Sequence, residues 1–449
     1  MSQAARILVI GETPASHHNL SARLRNFGYD SVSSTLEDGP GHHRNDQRPD
    51  IVVLNLQPAG NDAPPAFMSI ADQLRKNPET GAAPIIFLGS RNKAHLDMAR
   101  QAARDARVDD VVLGPVNDMQ LCGRINSLMR LNTMHDELVR RLATSAKYGA
   151  DAPPLIEHPS RLDDASVLVL GATRHYSDIE HALSKDVTLT GALTPTTALD
   201  YLLRRHFDAV IVDLKDDIEA AVVFTEDVRR NSRLFNTPVV LLAPQEKADE
   251  LTPVFARGVT DVLLKPFMAE EINARIMSLV RESRFRDSLK DTYAKARHMA
   301  TSDALTGLYS RGFLMEHIRS LIEAHSSRNH DFSLAFFRIH NIEQINRQYG
   351  YVVGDRIIRQ VGEAFGLLVR GEDLAVRYSG AAFAVLLPDT PAQSAETVLR
   401  RISGVVNQTL FSLPELSGPV EVDMATGLAG FQTSDSAESL ISRARQFCV

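Results

Sequence analysis

The sequence predicts an α/β protein of three domains: two doubly wound parallel sheets, then an α+β domain built around an antiparallel hairpin. Three observations carry this. A set of short, continuous aliphatic runs occurs twice, over residues 1–130 and 163–281. Such runs, alternating with helix-length stretches, describe strands buried on both faces of a parallel sheet. From residue 303 the pattern changes, and 376–388 reads as strand, turn and strand. A chain of 449 residues is long enough for about three domains, each with its own core.

Both repeats follow one order. An opening strand falls at 7–10 and again at 167–170. A second buried run follows an aspartate, at 50–54 and 208–212, and a third follows a proline, at 84–88 and 238–242. A fourth follows an aspartate and closes on proline, at 110–115 and 261–266. Functional groups of such a sheet gather at the carboxyl ends of its strands. Residues 131–162 begin helically and end in Pro153, Pro154 and Pro159, which marks a linker. Past the second repeat, 282–302 is a connecting helix. It continues a stripe of Ile272, Ile276, Leu279, Phe285, Leu289 and Tyr293 at helical spacing, read as a packing face.

Composition excludes several classes. The chain is 44% hydrophobic and 23% charged, with no apolar run long enough for a membrane span. A net charge of −7 leaves no basic surplus for nucleic acid. Residues 1–6 lead straight into the first strand without room for a signal peptide, and Cys122 and Cys448 are too few for a disulfide framework or zinc cluster. The expected compartment is the cytoplasm.

The repeats resemble response-regulator receiver domains, the CheY-like fold. The resemblance implies an acid pair after the first strand to hold magnesium, a phosphoacceptor Asp, a hydroxyl residue, and a Lys before the last proline. In the first repeat these positions hold Gly11-Glu12, Asn55 and Gly114. An amide forms no acyl phosphate. The second repeat keeps Asp213 and Lys265 before Pro266, but has Gly171-Ala172 for the acid pair and Ala243 for the hydroxyl. Phosphoryl transfer needs metal and fixed cations together. Asp213 with Lys265 therefore stands as a candidate phosphoacceptor pair, with a structural ion pair as the favoured alternative. Both repeats are expected to serve as dimerisation and docking modules.

Residues 303–449 resemble the GGDEF domain of diguanylate cyclases. The opening Asp303-Ala-Leu-Thr-Gly-Leu-Tyr-Ser-Arg311, the segment 336–355 and the hairpin 376–388 lie in order at the family's spacing. The resemblance implies metal-binding carboxylates at the end of one strand and in the hairpin turn. Arg338, His340, Ala381 and Ala382 stand there instead. A guanidinium repels a cation, and losing the metal removes several kcal/mol of transition-state stabilisation, each ~1.4 kcal/mol being tenfold in rate. No catalytic residue, metal or cofactor is expected. Asn346 and Asp355 occupy the family's guanine-binding positions, with a turn residue and a helix N-cap as the alternatives. The chain ends at 442–449, before the family's basic tail segment that grips the triphosphate.

Arg370-Gly-Glu-Asp373 lies five residues before the signature turn Ser379-Gly-Ala-Ala-Phe383, where the resemblance places a site for cyclic di-GMP. The pattern Arg-x-x-Asp is common by chance and falls also at Arg107/Asp110, Arg161/Asp164, Arg205/Asp208, Arg284/Asp287 and Arg328/Asp331. Only its position singles out Arg370 and Asp373. Arginine donates a fork to phosphate or to guanine O6/N7, and a carboxylate accepts from guanine N1–H and N2–H. The alternative is a surface ion pair worth under about 1 kcal/mol. Arg401 matches a secondary clamp, or is a solvated helix arginine.

The expected function is that of a non-catalytic cyclic di-GMP receptor, homodimeric and cytoplasmic, acting through protein contacts. Resemblance to inactive members with two receivers implies a partner in a cell-cycle proteolysis adaptor system at a cell pole. A ligand-free dimeric scaffold and a weakly active cyclase are the alternatives.

Overall fold

In the computed structural model the described residues are 5–11, 14–35, 48–56, 66–78, 80–104, 107–114, 116–149, 164–171, 175–183, 187–214, 217–231, 233–295, 301–328, 331–413 and 418–446. Glu12, Pro115, Ala172, Cys448 and the proline-bearing part of the linker lie outside them. The chain divides into two compact units, Ala4–Asn132 with Glu157–Ser288, and Met1–Gln3 and Thr133–Ile156 with Leu289–Val449.

The first unit holds both repeats. In the first, β1 (Arg6–Gly11), α1 (Pro14–Asn26), β2 (Asp30–Thr35), β3 (Ile51–Asn55), α2 (Ala66–Lys76), β4 (Ile85–Gly89), α3 (Lys93–Arg104) and β5 (Asp110–Leu113) lead into α4 (Asp118–Ala146). In the second, β6 (Ala165–Gly171), α5 (Tyr176–Leu183), β7 (Val187–Ala192), α6 (Pro195–Arg204), β8 (Ala209–Asp213), α7 (Ile218–Arg230), β9 (Val239–Pro244), α8 (Thr252–Ala256) and β10 (Asp261–Lys265) lead into α9 (Ala269–Lys295). Both sheets are wholly parallel and share one order, β2-β1-β3-β4-β5 and β7-β6-β8-β9-β10. This is the doubly wound arrangement that the repeated runs predict.

Each sheet has one strand more than the four apolar runs. The additions, β2 and β7, are edge strands rich in Ser and Thr, and only some of their side chains are buried. A half-polar edge leaves no continuous apolar signature.

The two repeats meet through buried charge. Arg124 of α4 donates to Asp110 at the start of β5, and Arg275 of α9 donates to Asp261 at the start of β10, at the same fourteen-residue spacing. Each arginine then crosses to the other repeat, Arg124 pairing with Glu282 at 3.0 Å and Arg275 donating to the Leu113 carbonyl. Arg91 adds a 3.0 Å bond to Glu271 and one of 2.8 Å to the Pro266 carbonyl. Removing one partner of such a buried set leaves an uncompensated charge, so these groups hold the register of the pair.

The second unit contains β11 (Tyr309–Ser310), α10 (Arg311–Arg328), β12 (Ser333–Ile339), α11 (Ile342–Tyr349), α12 (Tyr351–Leu368), β13 (Leu374–Ser379), β14 (Ala382–Leu387), α13 (Ala392–Gln408), β15 (Met424–Gly430) and α14 (Ala437–Gln446). Its sheet runs β11-β13-β14-β12-β15, with β12 antiparallel to both neighbours. β13 and β14 form the expected hairpin around Gly380, whose φ of 52° lies in the left-handed region that glycine tolerates. Phe365 of α12 stacks on Phe383 of β14 and meets Phe337 of β12 edge-on, with centroids 4.9 Å apart in each case. That contact fixes one face of the sheet and turns Arg338 and Ala382 to the other. The second half of α4 and the end of α9 belong to this unit, so these two helices run unbroken through positions 131 and 282.

Candidate functional site

Arg338 occupies the exposed position of β12, in register with Ala382 of β14 and Ala425 of β15. It lines a cavity of about 730 Å³ together with Arg311, Arg445, Tyr378, Phe336 and the turn 379–382. Arg311 lies over the Tyr378 ring at 4.7 Å, and Arg445 lies over Tyr378 at 5.5 Å and Phe336 at 5.7 Å. The acid on the rim, Glu438, is tied to Arg319 at 2.7 Å. Among the described residues no three His, Cys, Asp or Glu side chains come together as a metal site. The divalent cations that cyclase chemistry employs do not fit a cavity lined by three guanidiniums.

Residues 370–373 make the turn between α12 and β13. The Asp373 carboxylate is buried at 4% exposure and accepts the Arg370 backbone N–H at 2.8 Å, while the Asp373 N–H donates to the Arg370 carbonyl at 3.2 Å. Burial pushes the Asp373 carboxyl up to about 6, against the Arg370 N–H that holds it down. Arg370 itself is exposed. Among the described residues no salt bridge joins these two side chains: the carboxylate serves the turn, while the nearby Arg370 charge helps hold its carboxyl down. Arg401 of α13 donates to the Leu368 carbonyl at 2.9 Å, which brings it to the end of α12 beside this turn.

Arg141 on α4 holds the same turn from within the unit. It donates to the Gly371 carbonyl at 3.2 Å and to that of Glu372, and its guanidinium lies 4.7 Å from the Tyr293 ring centroid. Behind it, fully buried Glu137 accepts from Arg141 at 3.0 Å and Arg140 at 2.6 Å and lies 2.6 Å from His317 Nε2. Burial raises the Glu137 carboxyl, but His317, Arg141 and Arg140 outweigh it and hold it at about 2. Sequence reading missed this network. Its trace is the i,i+4 pair Glu137 and Arg141 among Met134, Leu138 and Leu142, charges set within an apolar face.

Asn346 and Asp355 fall on consecutive helices, and neither alternative for them holds. Asn346 is helical, in α11, and α12 begins at Tyr351 with Gly350 as its cap, so Asp355 lies in the second turn. The Asn346 Oδ1 is buried without a hydrogen-bond partner, and a Cβ on Gly354 would lie 1.9 Å from it. Asp355 is exposed.

In the second repeat, Asp213 is buried and bonded on both oxygens, to Lys265 Nζ at 2.6 Å and His175 Nδ1 at 2.7 Å. His175 is the residue that sequence reading did not identify. It follows β6 by four positions and brings an imidazole against the Asp213 oxygen that Lys265 leaves open. A Cβ on Gly171 would lie 1.8 Å from the Asp213 carbonyl oxygen, so no acidic side chain is accommodated at that position. In the first repeat, Asn55 is buried and donates to the Ser16 carbonyl at 3.2 Å.

Residues 300–449 match the family model described as diguanylate cyclase, GGDEF domain. The whole chain is similar to Response regulator PleD of Caulobacter vibrioides, 25% identical over 449 residues, covering 98% of this chain and 95% of that one. It is also similar to diguanylate cyclase DgcP of Pseudomonas aeruginosa, 25% identical over 173 residues, which cover 38% of this chain and 25% of that one. Among solved structures, the GGDEF domain of DgcB from Caulobacter crescentus in complex with c-di-GMP is 24% identical, covering 33% of this chain and 88% of that one, with a TM-score of 0.32. The chain therefore has a PleD-like architecture, in which two receiver-type domains precede a domain of the GGDEF type.

Proposed function

We propose that this protein is a non-catalytic receptor for cyclic di-GMP that binds the messenger at Arg370, Asp373 and Arg401 and signals through protein contacts. The observation that carries the reading is a contrast within one sheet. The position on β12 that should supply a metal-binding acid is Arg338, facing Ala382, whereas the turn 370–373 presents an exposed guanidinium beside a buried carboxylate and Arg401. A guanidinium fork suits the phosphate or guanine edge of a dinucleotide, and ionised Asp373 suits guanine N1–H and N2–H. The match to the diguanylate cyclase family model supports this ligand class, since cyclic di-GMP is the product of that family.

The output is a change in affinity for a protein partner, which by resemblance belongs to a proteolysis adaptor system in cell-cycle control at a cell pole. The receiver pair supplies a scaffold for a homodimer. Asp213 is a structural group in this reading, because Lys265 and His175 engage both of its oxygens. Among the described residues no helix is long and apolar enough to cross a membrane.

Calorimetric titration of the full chain with cyclic di-GMP tests the reading. Binding is expected for the native protein and a loss of at least tenfold for Arg370→Ala. Product formed from GTP and magnesium would support the cyclase alternative, and no heat with any titrant would support the ligand-free scaffold.

A further inference from the structure

The second repeat carries a cavity that none of the roles above uses. It has a volume of about 660 Å³, lies within the first unit, and is lined in part by Pro238 and Thr260, the residues just before β9 and β10. It therefore sits at the amino-terminal edge of the sheet, whereas Asp213 and Lys265 lie at the carboxyl ends of β8 and β10. Its lining includes Arg229 in the last turn of α7, Arg286 of α9, and the apolar side chains of Phe235 and Ala256.

Arg229 is built into this wall without a counter-charge. Its Nε donates to the Gly258 carbonyl at 2.9 Å, one terminal nitrogen donates to the Phe235 and Thr237 carbonyls at 2.9 and 2.7 Å, and the other donates to the Thr260 hydroxyl at 3.1 Å. All these acceptors are uncharged, and among the described residues no carboxylate pairs with Arg229. Gly258 shapes the seat: its φ is 99°, and a Cβ there would lie 2.7 Å from Arg229 Cγ. The two acids of the lining are already engaged, Glu226 by Arg257 at 2.6 Å and Glu282 by both Arg286 and Arg124. Burial, and then the charge of Arg286, pull the Arg229 guanidinium down to about 10. A desolvated cation beside a second cation favours the arrival of an anion, and the concave surface focuses that positive potential.

We propose that this cavity binds a phosphomonoester, with its phosphate on Arg229 and Arg286 and a flat apolar body against Phe235. A phosphomonoester carries about two negative charges at neutral pH, because its second ionisation falls near pH ~6, so one group answers both guanidiniums. A carboxylate supplies only one charge. The cavity volume is that of a small-molecule site and exceeds what a bare phosphate fills. Phe235 is 51% exposed, which leaves its ring available for a planar group to stack on. The proposal does not rest on the assignment of cyclic di-GMP to Arg370 and Asp373.

Calorimetry on the full chain at about pH 7.5 tests it, with phenyl phosphate, benzoate and inorganic phosphate as separate titrants. Phenyl phosphate is expected to bind about tenfold tighter than benzoate, which keeps the ring but carries one charge, and tighter than inorganic phosphate, which lacks the ring. Ala256→Glu adds a carboxylate to the lining at an exposed position and should weaken phenyl phosphate about tenfold. An unaltered melting curve for that variant controls for folding. Phe235→Ser should bring phenyl phosphate down to the affinity of inorganic phosphate, and Arg370→Ala should change nothing. No heat from phenyl phosphate overturns the proposal, as does benzoate binding equally well or an affinity that Ala256→Glu leaves intact. Inorganic phosphate binding as tightly as phenyl phosphate overturns the assignment of Phe235. Heat lost in Arg370→Ala but kept in Ala256→Glu puts the ligand at the turn 370–373 and overturns the proposal as well.

Discussion

Arg141 donates a hydrogen bond to the backbone carbonyl of Glu372, and a second, at 3.2 Å, to that of Gly371. These are the two residues enclosed by Arg370 and Asp373. A side chain on α4 thus fixes the backbone that positions the proposed ligand site, and Glu137, itself held by His317, in turn fixes that side chain. Arg141 touches no proposed ligand atom and acts as a positioning residue.

Replacing Arg141 with alanine is therefore expected to weaken cyclic di-GMP binding about tenfold by loosening the turn, since two hydrogen bonds from a charged donor are worth about 1.5–3 kcal/mol each at most. Calorimetry reads the affinity. Arg141→Lys restores the charge but not the fork and should recover only part of the loss.

The Asp373 carboxyl, raised to about 6 by burial, makes binding depend on pH. Guanine N–H groups need the ionised form as acceptor. Affinity should be near its plateau above pH 7 and fall about tenfold for each unit below pH 6, where the ionised fraction falls in proportion. Asp373→Asn should flatten the profile. Stability moves the opposite way. The folded protein holds this proton more tightly than the unfolded chain, so the group's contribution is fully present below about pH 4 and is lost as pH rises through about 6.

Glu137→Ala leaves His317, Arg140 and Arg141 without their shared acceptor inside a buried cluster. A loss of about 3–5 kcal/mol is expected, read by urea denaturation at pH 7. Because the Glu137 carboxyl sits at about 2, its contribution is present above about pH 4.5 and disappears as pH falls toward 2.

Asp213 should resist acetyl phosphate, because His175 and Lys265 occupy both carboxylate oxygens. Intact mass after incubation with magnesium should be unchanged. An added phosphoryl group that disappears in Asp213→Asn would instead establish the phosphorylation switch.

The fold was legible where burial forces a uniform pattern. Strands such as Ile51–Asn55 and Ala209–Asp213 are covered on both faces, so their apolar runs stand out. The edge strands β2 and β7 alternate Ser and Thr with small or apolar residues and escaped notice. That Arg338, Ala381 and Ala382 stand where the resemblance implies acids was readable residue by residue. Three other features depend on chain segments distant in sequence. Arg141 lies 231 residues before Glu372, His175 lies 38 before Asp213, and Arg311 and Arg445 converge only through Tyr378. No local spacing encodes those meetings. The position of Asp373 was readable, but its burial and its bond to the Arg370 N–H were not, because the turn geometry decides both.

Photocrosslinking of labelled cyclic di-GMP to the full chain, followed by mapping of the labelled peptide, locates the messenger most directly. The label is predicted on the peptide that spans residues 370–377, and Arg370→Ala should abolish it. A label confined to the cavity residues around Arg338, or one that persists undiminished in Arg370→Ala, would contradict the assignment.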